Sequence, residues 1–219
     1  MIKACIFDLD GTVANTINSI AYFANRALKK SGFAEIDTEK YNLLAGNGAK
    51  VLVQRMLETV GADAKYYDEV STEYNTTYDN DFLYLTEPYE GIIDMLRGLK
   101  EQGIKVAILS NKPHSTTEKV AEALFPDGLI DICYGGRENV PLKPDPQGVF
   151  EIIDEFGFHK DECLYIGDTG TDMQTGKNAG LYTVGVLWGF RKEPELWENG
   201  ADEVISQPCE LLDIVKKFM

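Results

Sequence analysis

The stretch "IKACIFDLDGTVANT", residues 2–16, decides the fold. An apolar run from Ile2 to Phe7 ends in two acids, Asp8 and Asp10, with Gly11 and Thr12 behind them. Two like charges at the end of a buried strand oppose folding, so the pair points to a ligand. In an open α/β sheet, ligands bind beyond the carboxyl ends of the strands. Residues two apart on an extended chain face the same side, so both carboxylates are expected to converge on one point. Gly11 lets the backbone turn sharply and approach a ligand closely. A hard cation would relieve the repulsion, and Mg²⁺ prefers carboxylate, carbonyl and water oxygens.

Further along, the texture of the first strand recurs. "IKVAILSN" (104–111), "CLYIGD" (163–168) and "YTVGVLWG" (182–189) are apolar runs rich in Val and Ile. "GIIDMLRGLKEQG" (91–103), "DPQGVFEIIDEFG" (145–157) and "PCELLDIVKKF" (208–218) show helical spacing. Strand–helix alternation, with strands apolar on both faces, predicts an α/β fold: a Rossmann-like parallel sheet with helices on both sides. Between Asn15 and Thr86 the texture changes. "SIAYFANRALKKSG" (19–32), "AKVLVQRMLETVG" (49–61) and "YDEVSTEYNTTYDNDF" (67–82) read as helices, and no convincing strand interrupts them. The expected organisation is therefore a core of residues 1–14 and 87–219, with an all-helical insertion at 15–86 directly after the first strand.

Bulk properties narrow the function. The 219 residues carry a net charge of -15, which argues against nucleic acid as a partner, because phosphate contacts need clustered Lys and Arg. No apolar stretch approaches the roughly 20 residues that span a bilayer, and the first apolar run meets Asp8 too soon for a signal peptide. Cys5, Cys133, Cys163 and Cys209 form no C-x-x-C pair and read as buried, reduced thiols. A soluble cytoplasmic protein is expected, as a monomer or a homodimer.

The other apolar runs also end in chemistry. "VAILSNK" delivers Ser110, Asn111 and Lys112, "YIGDTGTD" delivers Asp168 and Asp172, and "LKPDP" places Lys143 in a Pro-rich loop. Together they suit a phosphate monoester held against Mg²⁺: carboxylates take the metal, while Ser, Asn and Lys take phosphoryl oxygens. Each motif alone has a plainer reading. Asp8-x-Asp10-Gly could be a turn, though not an EF-hand loop, whose glycine stands sixth. Ser110-Asn111 could cap a helix, and Lys143 could lie on the surface.

In combination, "FDLDGT", "SNK", "KPDP" and "GDTGTDMQTGKNAG" resemble the four motifs of the haloacid dehalogenase superfamily of phosphatases. The resemblance covers essentially the whole chain, the helical insertion corresponding to the superfamily's cap after strand one. "EPYEGIIDMLRGLKEQG" and "GVLWGFRKEPEL" resemble its phosphoglycolate phosphatase branch. Many relatives carry Asp where this chain has Asn15; Asn still caps a helix well. The resemblance implies Asp8 as nucleophile forming an aspartyl-phosphate, kept ionised by Mg²⁺ and Lys143. It implies Asp10 as general acid and base, its acidity weakened by neighbouring anions. Asp168 would hold Mg²⁺ with Asp8 and the carbonyl of Asp10, and Asp172 would orient the metal's waters or Lys143. Ser110, Asn111 and Lys143 would hold the phosphoryl group.

In the insertion, "AGNG" (45–48) reads as a turn between helices, or as a loop whose Gly46, Asn47 and Gly48 amides meet substrate beside Lys50. Trp188 and Phe190 read as packing residues, and His114 and His159 receive no role. The expected substrate is a small phosphorylated metabolite, 2-phosphoglycolate first. Pyrophosphate, sugar or nucleotide monophosphates, a β-phosphoglucomutase-like transfer and a non-catalytic phosphate-metabolite binder are the alternatives.

Overall fold

Six parallel strands, ordered β5-β4-β1-β6-β7-β8, carry the candidate residues at their carboxyl ends in the computed structural model, which describes residues 1–218. The strands are β1 (Ala4–Phe7), β4 (Lys105–Pro113), β5 (Ile132–Gly136), β6 (Cys163–Gly167), β7 (Tyr182–Val186) and β8 (Glu203–Ile205). β1 lies at the centre, with Cys5 beside Val106 on one flank and Leu164 on the other. Alternate residues go to opposite faces, as the pleat requires. Cys5, Phe7, Val106 and Ile108 join one apolar cluster; Ala4, Ile6, Ala107 and Leu109 join the other.

Helices cover both faces. Apolar residues of α5 (Ile92–Glu101), α6 (His114–Leu124) and α10 (Glu210–Lys217) fill the first cluster. Those of α7 (Gln147–Phe156) and the end of α8 (Gly170–Ala179) fill the second. A short α9 (Glu193–Glu198) packs near β7 and β8. Among the described residues, no helix is long and apolar enough to cross a membrane.

A second body of helices lies between β1 and α5: α1 (Ile17–Lys30), α2 (Thr38–Leu44), α3 (Ala49–Thr59) and α4 (Tyr67–Asn80). It has an apolar cluster of its own, in which Phe23, Leu28, Tyr41, Met56 and Val70 are buried. Ile20, Phe23, Ala24, Ala27 and Leu28 line the inner face of α1 at helical spacing. One detail departs from the sequence reading: where the chain leaves and re-enters the sheet region, β2 (Ala14–Asn15) and β3 (Glu87–Pro88) form a small antiparallel ribbon. Two-residue strands leave no periodic signature. The thiols also differ from expectation. Cys5 and Cys163 are buried, but Cys133 is half-buried and Cys209 exposed; all four are free.

Candidate active site

Asp8 lies one residue past β1, where its backbone N–H still donates to Ile166 O at 2.9 Å. Its side chain is buried and meets the Lys143 ammonium at 2.8 Å. Lys143 Nζ is also 2.8 Å from Asp172, so one lysine bridges two acids. Asp172 begins α8 and serves twice, because its other carboxylate oxygen accepts from the Thr169 N–H and hydroxyl in a capping box. Asp168, at the end of β6, accepts from Thr12 Oγ1 at 3.0 Å and Phe190 N at 2.7 Å. Gly11 and Gly189 press on that carboxylate: a Cβ at either would lie 2.3 Å from an atom of Asp168.

Asp8, Asp168 and Asp172 each offer an oxygen within 4.8 Å of the others, and all three are buried. Three carboxylates against one ammonium leave the group over-supplied with negative charge. Burial pushes Asp8 well above the usual carboxylate range, Asp172 pushes it further, and the Lys143 cation does not outweigh them. Burial and Asp172 likewise push Asp168 up to about 7, against its bonds to Phe190 and Thr12. All-oxygen donors with uncompensated charge fit a hard divalent cation such as Mg²⁺. Lys143 lowers the Asp8 pKa, in the expected direction, and the charge it leaves uncompensated is what a cation would meet.

Asp8 and Asp10 both face one cavity, but different cations hold them. β1 ends at Phe7, and Asp10 bridges to Ala14. Its carboxylate meets Lys112 Nζ at 3.1 Å through both oxygens. Asp10 is thus absent from the three-acid group, and its charged neighbour is a cation rather than the anions expected. Lys112 is itself buried, with the Tyr78 ring of α4 over its ammonium at 4.4 Å. Burial works against that ammonium, but Asp10, Tyr78 and Tyr74 hold its pKa above the ordinary lysine value.

A partly enclosed cavity lies between the strand ends and the helical segment. Asp8, Asp10 and Ser110 line it from the sheet, Tyr74 and Tyr78 from α4. Ser110 Oγ accepts from the Lys112 N–H at 3.2 Å. Asn111 lines the cavity too, but its side-chain amide is turned toward main chain: Oδ1 accepts from Lys143 N at 2.8 Å, and Nδ2 donates to Lys143 O at 3.2 Å. Through its side chain Asn111 orients the Lys143 loop.

The "AGNG" loop divides. Gly46 and Gly48 line the cavity with φ of 105° and 84°. Asn47 turns away and donates to Thr171 Oγ1 at 3.0 Å, and Lys50 is exposed and lines no part of the cavity. Arg191 ties this loop to the sheet side by donating to Ala45 O at 3.0 Å. Trp188 packs against the first apolar cluster and donates to Thr12 O at 2.8 Å; Phe190 is buried in the helical cluster. His114 Nδ1 accepts a long bond from Gly135 N. Sequence reasoning placed Lys112 at a strand end without giving it a role, and missed Tyr74 and Tyr78 as site residues. The i, i+4 tyrosine pair on α4 and a lysine directly after Ser110-Asn111 were the available signals.

Comparison with known proteins identifies the family. The pattern of the family described as "Haloacid dehalogenase-like hydrolase" matches residues 5–186. The phosphoglycolate phosphatase of Rhodobacter capsulatus is 33% identical over 203 residues, covering 89% of this chain and 88% of its own length. That of Aquifex aeolicus is 29% identical, with 97% and 96% covered. A crystal structure from Lactobacillus delbrueckii subsp. bulgaricus, of a protein provisionally named a phosphoglycolate phosphatase, superposes with a TM-score of 0.91 at 29% identity, covering 97% and 98%.

Proposed function

The chain belongs to the haloacid dehalogenase-like hydrolase family, and from that premise we propose that it is a Mg²⁺-dependent phosphatase acting on 2-phosphoglycolate through an aspartyl-phosphate. What carries the reading is the buried Asp8, held by Lys143 within a group of three carboxylates and opening onto a cavity. Asp8, Asp168 and Asp172 would hold the cation, which when bound supplies positive charge for the phosphoryl oxygens.

An oxygen of Asp8 attacks phosphorus, and the bond from phosphorus to the ester oxygen breaks. Asp10 takes up a proton as the anionic ester binds beside it and gives that proton to the departing oxygen, so that glycolate leaves as a neutral alcohol at that end. Asp10, now a carboxylate, then takes a proton from water as that water attacks the phosphorus of the acyl phosphate. Inorganic phosphate leaves and the Asp8 carboxylate is restored. Ser110 and Lys143 hold phosphoryl oxygens, whose charge spreads in the transition state. Residues 15–86 act as a cap over the strand ends, excluding bulk water and restricting the leaving group to a small one. Four free thiols fit a reducing compartment, and the proposed location is the cytoplasm.

The test compares wild type with Asp8→Asn on 4-nitrophenyl phosphate and 2-phosphoglycolate, with Mg²⁺ and with chelator. Wild type should turn over both esters only with Mg²⁺, and beryllium fluoride should bind it as a mimic of the aspartyl-phosphate. The folded variant should do neither. Substantial turnover by folded Asp8→Asn would overturn the mechanism. A tenfold preference for pyrophosphate or a hexose phosphate, about 1.4 kcal/mol in transition-state binding, would overturn the substrate.

A further inference from the structure

Among the described residues, Lys112 is the only cation that lines the cavity; the other charged lining residues are Asp8, Asp10 and Asp79. Asp79 is already engaged, its carboxylate accepting from Thr116 Oγ1 at 2.8 Å. An anionic leaving group entering the cavity can therefore be met by one charge only.

Lys112 also has capacity to spare. An ammonium carries three donors. The partners of Nζ among the described residues are the two Asp10 oxygens, both at 3.1 Å, and the face of the Tyr78 ring. Both oxygens belong to one carboxylate and lie on one side of the nitrogen. Beside this pair the Tyr78 hydroxyl is buried, on a residue only 4% exposed, with Lys112 and the Ser19 hydroxyl as its polar neighbours and no well-formed hydrogen bond to either. Buried hydroxyls are nearly always satisfied, so this group on a cavity-lining residue still has capacity for a polar ligand atom.

We propose that Lys112, with the Tyr78 hydroxyl beside it, binds the carboxylate of the leaving group and so selects esters in which that carboxylate sits next to the phosphorylated carbon. The proposal rests on the phosphatase reading above and adds the residue that sets its substrate class. The geometry follows from Asp10. Its carboxylate must lie within about 2.6–3.2 Å of the departing ester oxygen to protonate it. Lys112 Nζ is 3.1 Å from the same carboxylate. In 2-phosphoglycolate the carboxyl carbon is two bonds from the ester oxygen. A carboxylate bonded to Lys112 therefore leaves the ester oxygen beside Asp10, without a spacer between acid and anchor. Chains that place the carboxylate further out, or carry none, leave Lys112 bonded to Asp10 alone.

The experiment removes the carboxylate and the lysine separately. Wild type, Lys112→Met and Lys112→Arg are assayed on 2-phosphoglycolate and on 2-hydroxyethyl phosphate, which replaces the carboxylate by a neutral group of similar size. Any damage that Lys112→Met causes through Asp10 falls on both esters, so the ratio of their kcat/KM values isolates the carboxylate contact. Wild type should prefer the carboxylate ester by tenfold or more. Lys112→Met should bring that ratio to within about threefold of one, chiefly by raising KM for 2-phosphoglycolate; Lys112→Arg should restore part of it. A ratio unchanged in Lys112→Met would overturn the proposal, as would a wild type without preference, even while turnover of 4-nitrophenyl phosphate upheld the phosphatase reading. Loss of aryl phosphate turnover in wild type would instead overturn both.

Discussion

Replacing Asp168 by Asn should make the metal-free protein more stable, not less. The side chain has no exposed surface, and burial together with Asp172 raises its pKa from 3.8 to about 7. A raised carboxyl pKa means that folding favours the protonated form. The stability associated with this group is present in full below pH 4, is lost progressively as pH rises, and is gone above about 7. A shift of about three units at about 1.4 kcal/mol each sets a ceiling of about 4 kcal/mol. The three acids share protons, so ionisation of one is eased by protonation of another, and about 2 kcal/mol is the expected gain from neutralising one of them. The amide can keep both present bonds: Oδ1 accepts from the Phe190 N–H, while Nδ2 donates to Thr12 Oγ1, whose hydroxyl rotates to accept. For a chain of this length, about 2 kcal/mol raises Tm by about 4–8 °C. Thermal unfolding is followed in chelator at pH 5, 6, 7 and 8, then repeated with Mg²⁺. The variant's advantage should grow with pH up to about 7–8. Mg²⁺ at a hundred times its Kd should stabilise wild type by about 2.7 kcal/mol and the variant far less. A variant less stable than wild type at pH 8 in chelator would refute the reading of this cluster as frustrated by charge. So would equal stabilisation of both by Mg²⁺.

Lys143→Met should act in the opposite direction, because it strips the only ammonium from Asp8 and Asp172; a loss of about 3–5 kcal/mol at pH 8, read from urea unfolding, is expected to shrink as pH falls. Gly11→Ala should abolish Mg²⁺-dependent stabilisation, since its Cβ would lie 2.3 Å from Asp168 Oδ2 at a residue whose φ is 89°; isothermal titration with Mg²⁺ at pH 8 would detect retained binding, which would contradict the close packing.

Much of this was legible in the sequence for one physical reason. Strands buried on both faces must be apolar throughout, so a polar residue directly after such a run marks the strand end, and strand ends are where an α/β sheet binds its ligands. Asp8, Ser110 and Asp168 follow from that rule; Lys143, in the loop beyond β5, came from the resemblance carried by "KPDP". Elements without such a contrast stayed hidden. α8, "GTDMQTGKNA", is too polar to show helical periodicity; only the Thr169–Asp172 capping box marks its start. β8 is three residues long, too short for any period. The hold of Lys112 on Asp10, apart from the three-acid group, gave no signal, because alternation holds only while the chain stays extended. The pairing of Lys112 with Tyr78 joins residues 34 positions apart on different bodies. It depends on how α4 settles over β4, which no local pattern encodes.

That pairing also separates the two acids by what holds them. The contacts of Asp8 come from the sheet side: Ile166 O, Lys143 and Asp172. Lys143 is in turn fixed by Asn111 and by its loop, where Asn178 Nδ2 donates to Pro144 O at 2.9 Å. The geometry of Asp8, the proposed nucleophile, therefore depends mainly on the sheet side, with the long bond from Asn111 Nδ2 to Gly46 O as a link to the helical segment. Asp10 is different. Its lysine is desolvated by Tyr78, a residue of α4, and rests among Tyr74 and Tyr78. An ion pair in water is worth little, and the same pair shielded from water is worth several times more. Displacement of α4 from the strand ends would expose Lys112 to water and weaken its hold on Asp10, while leaving Asp8 in place. In the proposed mechanism, attack and proton transfer thus answer chiefly to different parts of the fold. The step that needs the leaving group correctly seated is the one whose acid is set by the segment that covers it.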